Sequence, residues 1–290
     1  MRAGKLKMKR YPVRKRGGGW VLLLLLGVLL GAGAATFGKQ AFSGLVFPQF
    51  SAVRQPSIPQ TPEFASREER ILTLPGHTWF ALQLGVFDSE EAAESLAASY
   101  RSRGAGGYVR TQDQYRVLAA AYAARADAQA VLTQLRTLHQ VDAVLTEIVQ
   151  PEVTLRLTGR PEQLTALSDA CDALEQLSIE LAALSNDLDR GAADRQTTLD
   201  ALRSHRETLT ALKSRIDKQF GENAPDTVRK AAEMLDALSL SLGEALSVQG
   251  TAALGARVKY AQLQCLCRMA DYAEALSRQG VGQSSGRSVN

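Results

Sequence analysis

Two polar side chains, Gln83 and Arg116, lie in two segments that repeat one another, residues 80–87 and 115–122. Each segment alternates apolar and other side chains with a period of two, which indicates a β-strand with one buried face. The polar side chain of each strand then points away from that buried face. Arg116 presents a planar fork of donors suited to a carbonyl or carboxylate oxygen, and Gln83 can donate and accept hydrogen bonds.

Further side chains share the face on which Arg116 lies. With Val117 in the core, Gln114, Arg116 and Leu118 are expected on the same open side as Gln83. A face of polar and planar groups suits a glycan, because sugars offer hydroxyls for hydrogen bonds and flat apolar patches for stacking. The alternative is that Gln83 and Arg116 are ordinary solvated residues of a sheet surface.

The elements that position this face form a short α+β domain. Strand 79–87 is followed by a helical pattern that three glycines end, and residues 107–110 form a short strand. The second long strand, a second amphipathic helix and an apolar run at 143–149 repeat the order. Neither half can bury its apolar face alone. We therefore expect one ferredoxin-like β-α-β-β-α-β sheet with both helices on one side.

This stretch resembles the SPOR domain, a small peptidoglycan-binding module, over about a quarter of the chain. The resemblance is carried by FALQLGVFDSEEAAESL at 80–96 and YRVLAAAYAARADAQAVLTQL at 115–135. The positions that fit the family pattern are Gln83, Gly85, Phe87, Arg116, Val117 and Tyr122. Ala120 and Ala121 stand where the family has Gly-Pro, so the second turn can be shaped differently.

The resemblance implies that the face described above binds glycan strands. In the family, the Gln of the first strand and the Arg of the third face the glycan, and these correspond to Gln83 and Arg116. Val86 is the next candidate, and Gln114 stands where many members carry a stacking aromatic. The expected glycan-binding residues are Gln83, Val86, Gln114, Arg116 and Leu118. The fork of donors on Arg116 suits acetamido carbonyls or a lactyl carboxylate. Members of the family favour glycan strands stripped of stem peptides, at division septa or in the sporulation envelope.

The net charge of +4 belongs to the N-terminal tail. Residues 1–16 contain eight basic side chains and no acidic one, so removing these eight charges leaves −4 for the remainder. The body of the chain therefore gives no reason to expect nucleic acid as a partner.

An apolar, uncharged segment follows the basic tail of residues 1–19. Residues 20–37 would span about 27 Å as a helix, close to the thickness of a bilayer core. The basic residues before it predict a single-pass transmembrane helix in the cell membrane, with the N-terminus cytoplasmic and the later domains extracytoplasmic. The alternative is a cleaved signal peptide, because residues 32–34 are small and fit a cleavage site. Both interpretations export the body of the protein.

Two more regions complete the predicted organisation. Residues 38–75 hold five of the nine prolines and are expected to be a linker before the SPOR-like domain at 76–150. Residues 152–157 either extend the last strand or, because of Pro151, form a break or an edge strand. Four apolar stripes at helical spacing then predict an antiparallel helical bundle over 161–279, and residues 280–290 read as a disordered tail.

The remaining residues with reactive side chains do not assemble into a catalytic or metal site. His77, His139 and His205 lie on unrelated elements, and no pair has the spacing of metal ligands. Cys265 and Cys267 are expected on opposite sides of one helix. Either could meet Cys171 in a disulfide, or all can be buried thiols. No nucleophile elbow, phosphate loop or H-E-x-x-H is present in the sequence, so we expect neither an enzyme nor a cofactor.

Two functions remain open at this point. The first is a non-catalytic protein that presents a SPOR-like domain to peptidoglycan from a membrane anchor. The second is an envelope scaffold or adaptor that works through its helical region, by self-association or by binding another envelope protein.

Overall fold

Residues 67–284 are described by a computed structural model of the chain. The predicted basic tail, the transmembrane helix at 20–37, the first part of the linker and residues 285–290 lie outside this range. Within it, no helix combines the length and the apolar character needed to cross a membrane.

The described residues form a region rich in strands, followed by a region of long helices. The strands are β1 (Glu68–Leu74), β2 (His77–Phe87), β3 (Tyr108–Thr111), β4 (Tyr115–Tyr122), β5 (Val144–Gln150) and β6 (Val153–Gly159). The helices are α1 (Glu90–Arg101), α2 (Arg125–His139), α3 (Pro161–Asp189), α4 (Arg195–Phe220), α5 (Asp226–Ser247) and α6 (Thr251–Ser284). The expected α+β class, with a sheet-rich region before a helical one, is confirmed.

The central sheet has four antiparallel strands in the order β3-β4-β2-β5, with α1 and α2 packed on one face. Leu82 packs with Leu132 of α2, and Val117 packs with Ala93 and Ala97 of α1. Leu82 and Val117 therefore face α1 and α2, as the alternation predicts. Val86 and Leu118 lie on the other face.

Two strands extend beyond this sheet: β1 departs from the predicted linker, which was expected to run to Pro75, and β6 lies where a strand extension or an edge strand was left open. The β2–β5 pair continues across a short break as the β1–β6 pair, so that His77 pairs with Gln150 and Leu74 with Val153. At the break, Gln150 Nε2 donates to the Pro75 carbonyl at 2.8 Å. The segment forms a strand rather than a linker because one face of the ribbon is buried in the helical core through Leu72, Leu74 and Val153. Of the five prolines in the predicted linker, Pro75 lies at the break and the other four lie outside the described residues.

Helices α3 to α6 form an antiparallel bundle, which the contacts between their ends establish. Gln163 near the start of α3 bonds the carbonyl of Gln219 at the end of α4. Arg195 at the start of α4 bonds the carbonyl of Val248 just after α5. The predicted apolar stripes supply the buried centre of the bundle, whose members include Leu174, Leu181, Leu202, Leu209, Ile216, Leu235, Leu238 and Leu242. The helical region is thus built on its own chain.

The three cysteines are free thiols, with Cys171 on α3 and with Cys265 and Cys267 on opposite sides of α6. Cys265 faces the bundle core, as does Cys171, whereas Cys267 faces the sheet, so the expected opposition of Cys265 and Cys267 holds. Burial raises the pKa of Cys171 to about 12. Among residues 67–284 no group of His, Cys, Asp and Glu could hold a metal ion.

Candidate functional site

Helix α6 lies across the sheet face that was expected to be open. Trp79, Leu118 and Ile148 of the sheet are buried in one cluster with Leu263, Leu266 and neighbouring residues of α6. The opposite side of α6 contributes Val258, Cys265 and Met269 to the bundle core. A helix that is apolar on both sides is buried on both sides. The sequence pattern was interpreted as one apolar stripe on α6, although the uncharged run at 260–267 indicates a second apolar side.

Polar contacts fix α6 to the sheet at its N-terminal half. Gln262 Nε2 donates to the Ala121 carbonyl at 3.0 Å in a fully buried position. Lys259 Nζ donates to Asp189 at 2.6 Å and to the Gly104 carbonyl at 3.1 Å. These bonds satisfy the Gln262 amide N–H and the Lys259 ammonium, which would be costly to bury alone, whereas Gln262 Oε1 is buried without a partner among the described residues.

The cover formed by α6 changes the expected set of glycan-binding residues. Leu118 is 1% exposed and lies beneath α6, so it cannot touch a ligand and is withdrawn from the candidate site. Gln83 is on the predicted face but is only 8% exposed. Its Oε1 accepts a hydrogen bond from Arg116 Nη1 at 3.1 Å, which makes Gln83 a residue that positions Arg116.

The end of the sheet beyond α6 brings the remaining candidates together. Val86, 37% exposed, lies directly opposite Arg116 across the β2–β4 ladder. Register shifts on either side of Gln83 keep both Gln83 and Val86 on the face of Arg116. Gln114 is exposed just before β4, where its Nε2 donates to Asp88 Oδ1 at 2.9 Å. We call this surface, formed by Val86, Arg110, Gln114 and Arg116, the open end.

Arg110 belongs to this site and was missed from the sequence. It lies directly opposite Arg116 in the β3–β4 ladder, and its side chain is 12% exposed. Arg110 Nη2 donates to Asp271 Oδ1 of α6 at 2.7 Å. Its Nε is buried and has no hydrogen-bond partner among the described residues. The pairing of β3 with β4 places Arg110 opposite Arg116 and would have indicated it. Its contact with Asp271 could not be inferred, because the two residues are far apart in sequence.

In the described part of the chain, the neighbours of Arg110 include the Asp271 carboxylate, the Cys267 thiol and the Tyr108 phenol. Burial raises the pKa of Cys267 to about 12, although Arg110 lowers it, so the thiol stays neutral at pH 7. Burial likewise raises the pKa of Tyr108, which keeps that phenol neutral. The open end therefore carries two guanidinium groups, one paired with the Asp271 carboxylate and one bonded to the neutral amide of Gln83. Such a surface favours ligands rich in carbonyl or carboxylate oxygens.

Comparison with known families identifies the sheet region. Residues 76–147 match the family model of the SPOR domain, so the chain contains a SPOR domain. SPOR domains are non-catalytic and bind peptidoglycan, so the match supports a peptidoglycan-binding role for the chain. Strands β1 and β6 and helices α3 to α6 lie beyond the matched residues. The chain matches neither a curated protein nor a solved structure.

Proposed function

We propose that this SPOR domain-containing chain is a non-catalytic peptidoglycan-binding protein that is anchored in the cytoplasmic membrane by residues 20–37. It binds glycan strands stripped of stem peptides, during septation or sporulation. The observation that carries the proposal is the meeting of Val86, Gln114 and Arg116 at the open end of a matched SPOR sheet.

The open end offers complementary groups for a sugar chain. Arg116 is half-buried and already held by Gln83, so little side-chain freedom is lost when its remaining donors bind a ligand. Acetamido carbonyls and lactyl carboxylates supply the acceptors that a guanidinium prefers. Val86 adds an apolar patch beside them, and the amide of Gln114 adds both a donor and an acceptor.

Helix α6 limits the site to this end. Trp79, Leu118 and Ile148 are buried beneath it, and exposing each would cost about 1.5–3 kcal/mol. Those costs add to the loss of the buried Gln262 bond. The helix therefore stays in place when ligand binds, and it forms one wall of the site rather than a removable lid.

The alternative function, a scaffold or adaptor acting through the helical region, gains less support. The apolar stripes of α3 to α6 are buried in the core of this chain, and α6 uses its other face on the sheet. In the described structure the helical region supports and borders the open end.

The test is co-pelleting of the full chain, in nonionic detergent, with purified sacculi before and after amidase removal of the stem peptides. Arg116→Ala is expected to weaken binding about 10- to 100-fold, because a hydrogen bond to a charged group contributes about 1.5–3 kcal/mol. Arg156→Ala is the matched control, since Arg156 lies on β6 in an exposed ion pair with Glu69.

Pelleting that rises after stripping and falls only in Arg116→Ala supports the proposed function. Pelleting of the wild-type chain no greater than that of an unrelated protein would refute it.

A further inference from the structure

Two arginines face one another at the open end in an arrangement that costs energy. Arg110 and Arg116 are direct partners in the β3–β4 ladder, so their side chains lie on the same face. Like charges placed directly opposite on neighbouring strands repel. An anion that contacts both guanidinium groups would therefore relieve this repulsion.

The carboxylate already present, that of Asp271, pairs with only one of the two arginines. Asp271 of α6 contacts Arg110, whereas the oxygen that holds Arg116 belongs to the neutral amide of Gln83. Arg110 Nε remains buried and unpartnered within residues 67–284. In the described structure Asp271 thus pairs with Arg110 alone, and donors are left over. Arg268, exposed one turn earlier on α6, adds further positive charge.

We propose that Arg110 and Arg116 form a carboxylate-binding site in which Asp271 is an exchangeable internal counter-ion. A ligand carboxylate bridges the two guanidinium groups and displaces Asp271 from Arg110. Resting on the proposed function, we assign the ligand group as the lactyl carboxylate of muramic sugars. This group is an amide while the stem peptide is attached and becomes a free carboxylate when an amidase removes the peptide.

Asp271 is placed so that it can be displaced without movement of α6. Its side chain is 51% exposed, so its carboxylate can return to water by a change of rotamer. Arg110 stays paired throughout, because the ligand carboxylate replaces the bond that Asp271 gives up. A bridging carboxylate gains two charged partners where Asp271 holds one. The helical region thereby lowers the affinity of the sheet for stripped strands through a single competing charge.

The test compares Asp271→Asn with the wild-type full chain in the stripped-sacculus assay, in nonionic detergent. Asparagine keeps the volume but removes the competing charge, so binding to stripped sacculi is expected to tighten about 3- to 10-fold, while binding to unstripped sacculi stays unchanged. Glu274→Gln is the matched control, because Glu274 lies one turn further along α6 and pairs with Arg278. Converting the carboxylates of the stripped sacculi to methylamides is expected to abolish the gain.

The outcomes separate this inference from the proposed function. If the wild-type chain binds stripped sacculi and Asp271→Asn binds no tighter, or Glu274→Gln tightens binding equally, the carboxylate site is overturned and the proposed function stands. If neither chain binds sacculi, the proposed function fails. Titration with N-acetylmuramic acid then decides the site: tighter saturable binding by Asp271→Asn supports it, and equal or absent binding overturns it.

Discussion

Replacing Leu118 with alanine is expected to lower the free energy of unfolding by about 2–5 kcal/mol, the range for deleting a buried leucine side chain. Leu118 is 1% exposed and lies between the sheet and α6. Because the β1–β6 ribbon also enters the bundle core, the sheet and the bundle should unfold together.

The measurement is urea unfolding of residues 60–290, the part of the chain that contains every described helix and strand. Far-UV circular dichroism reports mainly on the helices, and fluorescence reports on Trp79, the single tryptophan of this fragment. Both transitions are expected to shift together in Leu118→Ala. Leu138→Ala, on the exposed side of α2, should change the free energy of unfolding by no more than about 0.5 kcal/mol. A fluorescence shift without a dichroism shift would contradict a shared core.

The Gly106→Ala substitution is expected to cost about 1–3 kcal/mol, the usual penalty for overpacking a tight contact. A Cβ at Gly106 would lie 3.0 Å from the Ala119 carbonyl oxygen and 3.1 Å from the Lys259 carbonyl carbon. These are backbone atoms of β4 and α6, so neither yields easily. The new methyl would push α6 away from the sheet.

The control for this substitution is Gly255, a glycine within α6. A Cβ at Gly255 would meet no atom within 4 Å, and Gly→Ala inside a helix stabilises by about 0.5–1 kcal/mol. Thermal unfolding of residues 60–290 should therefore shift down for Gly106→Ala and stay level or rise for Gly255→Ala. Equal stability of the two variants would mean that α6 does not approach the sheet as closely as described.

The parts of the fold that could be predicted are those that local patterns encode. Alternation places Leu82 and Val117 on the helix side of the sheet, and apolar spacing locates all four helices of the bundle. The pairing of Gln83 with Arg116 on one face also follows from this period.

What the sequence did not reveal depends on contacts between distant segments. One face of the β1–β6 ribbon is buried because the bundle covers it, and no pattern in residues 68–74 indicates this contact. Leu118 is a second example, because it would be exposed on an isolated sheet but is covered by α6. The contact of Arg110 with Asp271 joins residues that are 161 positions apart.

The location of the bound glycan tests the account most directly. We would measure hydrogen–deuterium exchange of the full chain, in nonionic detergent, with and without soluble glycan strands stripped of peptides. Exchange is expected to slow in residues 84–88 and 110–116, at the open end, while α2 and β5 stay unchanged. Protection confined to α1, α2 or the helical bundle, or no protection at saturating glycan, would contradict binding at the open end of the sheet.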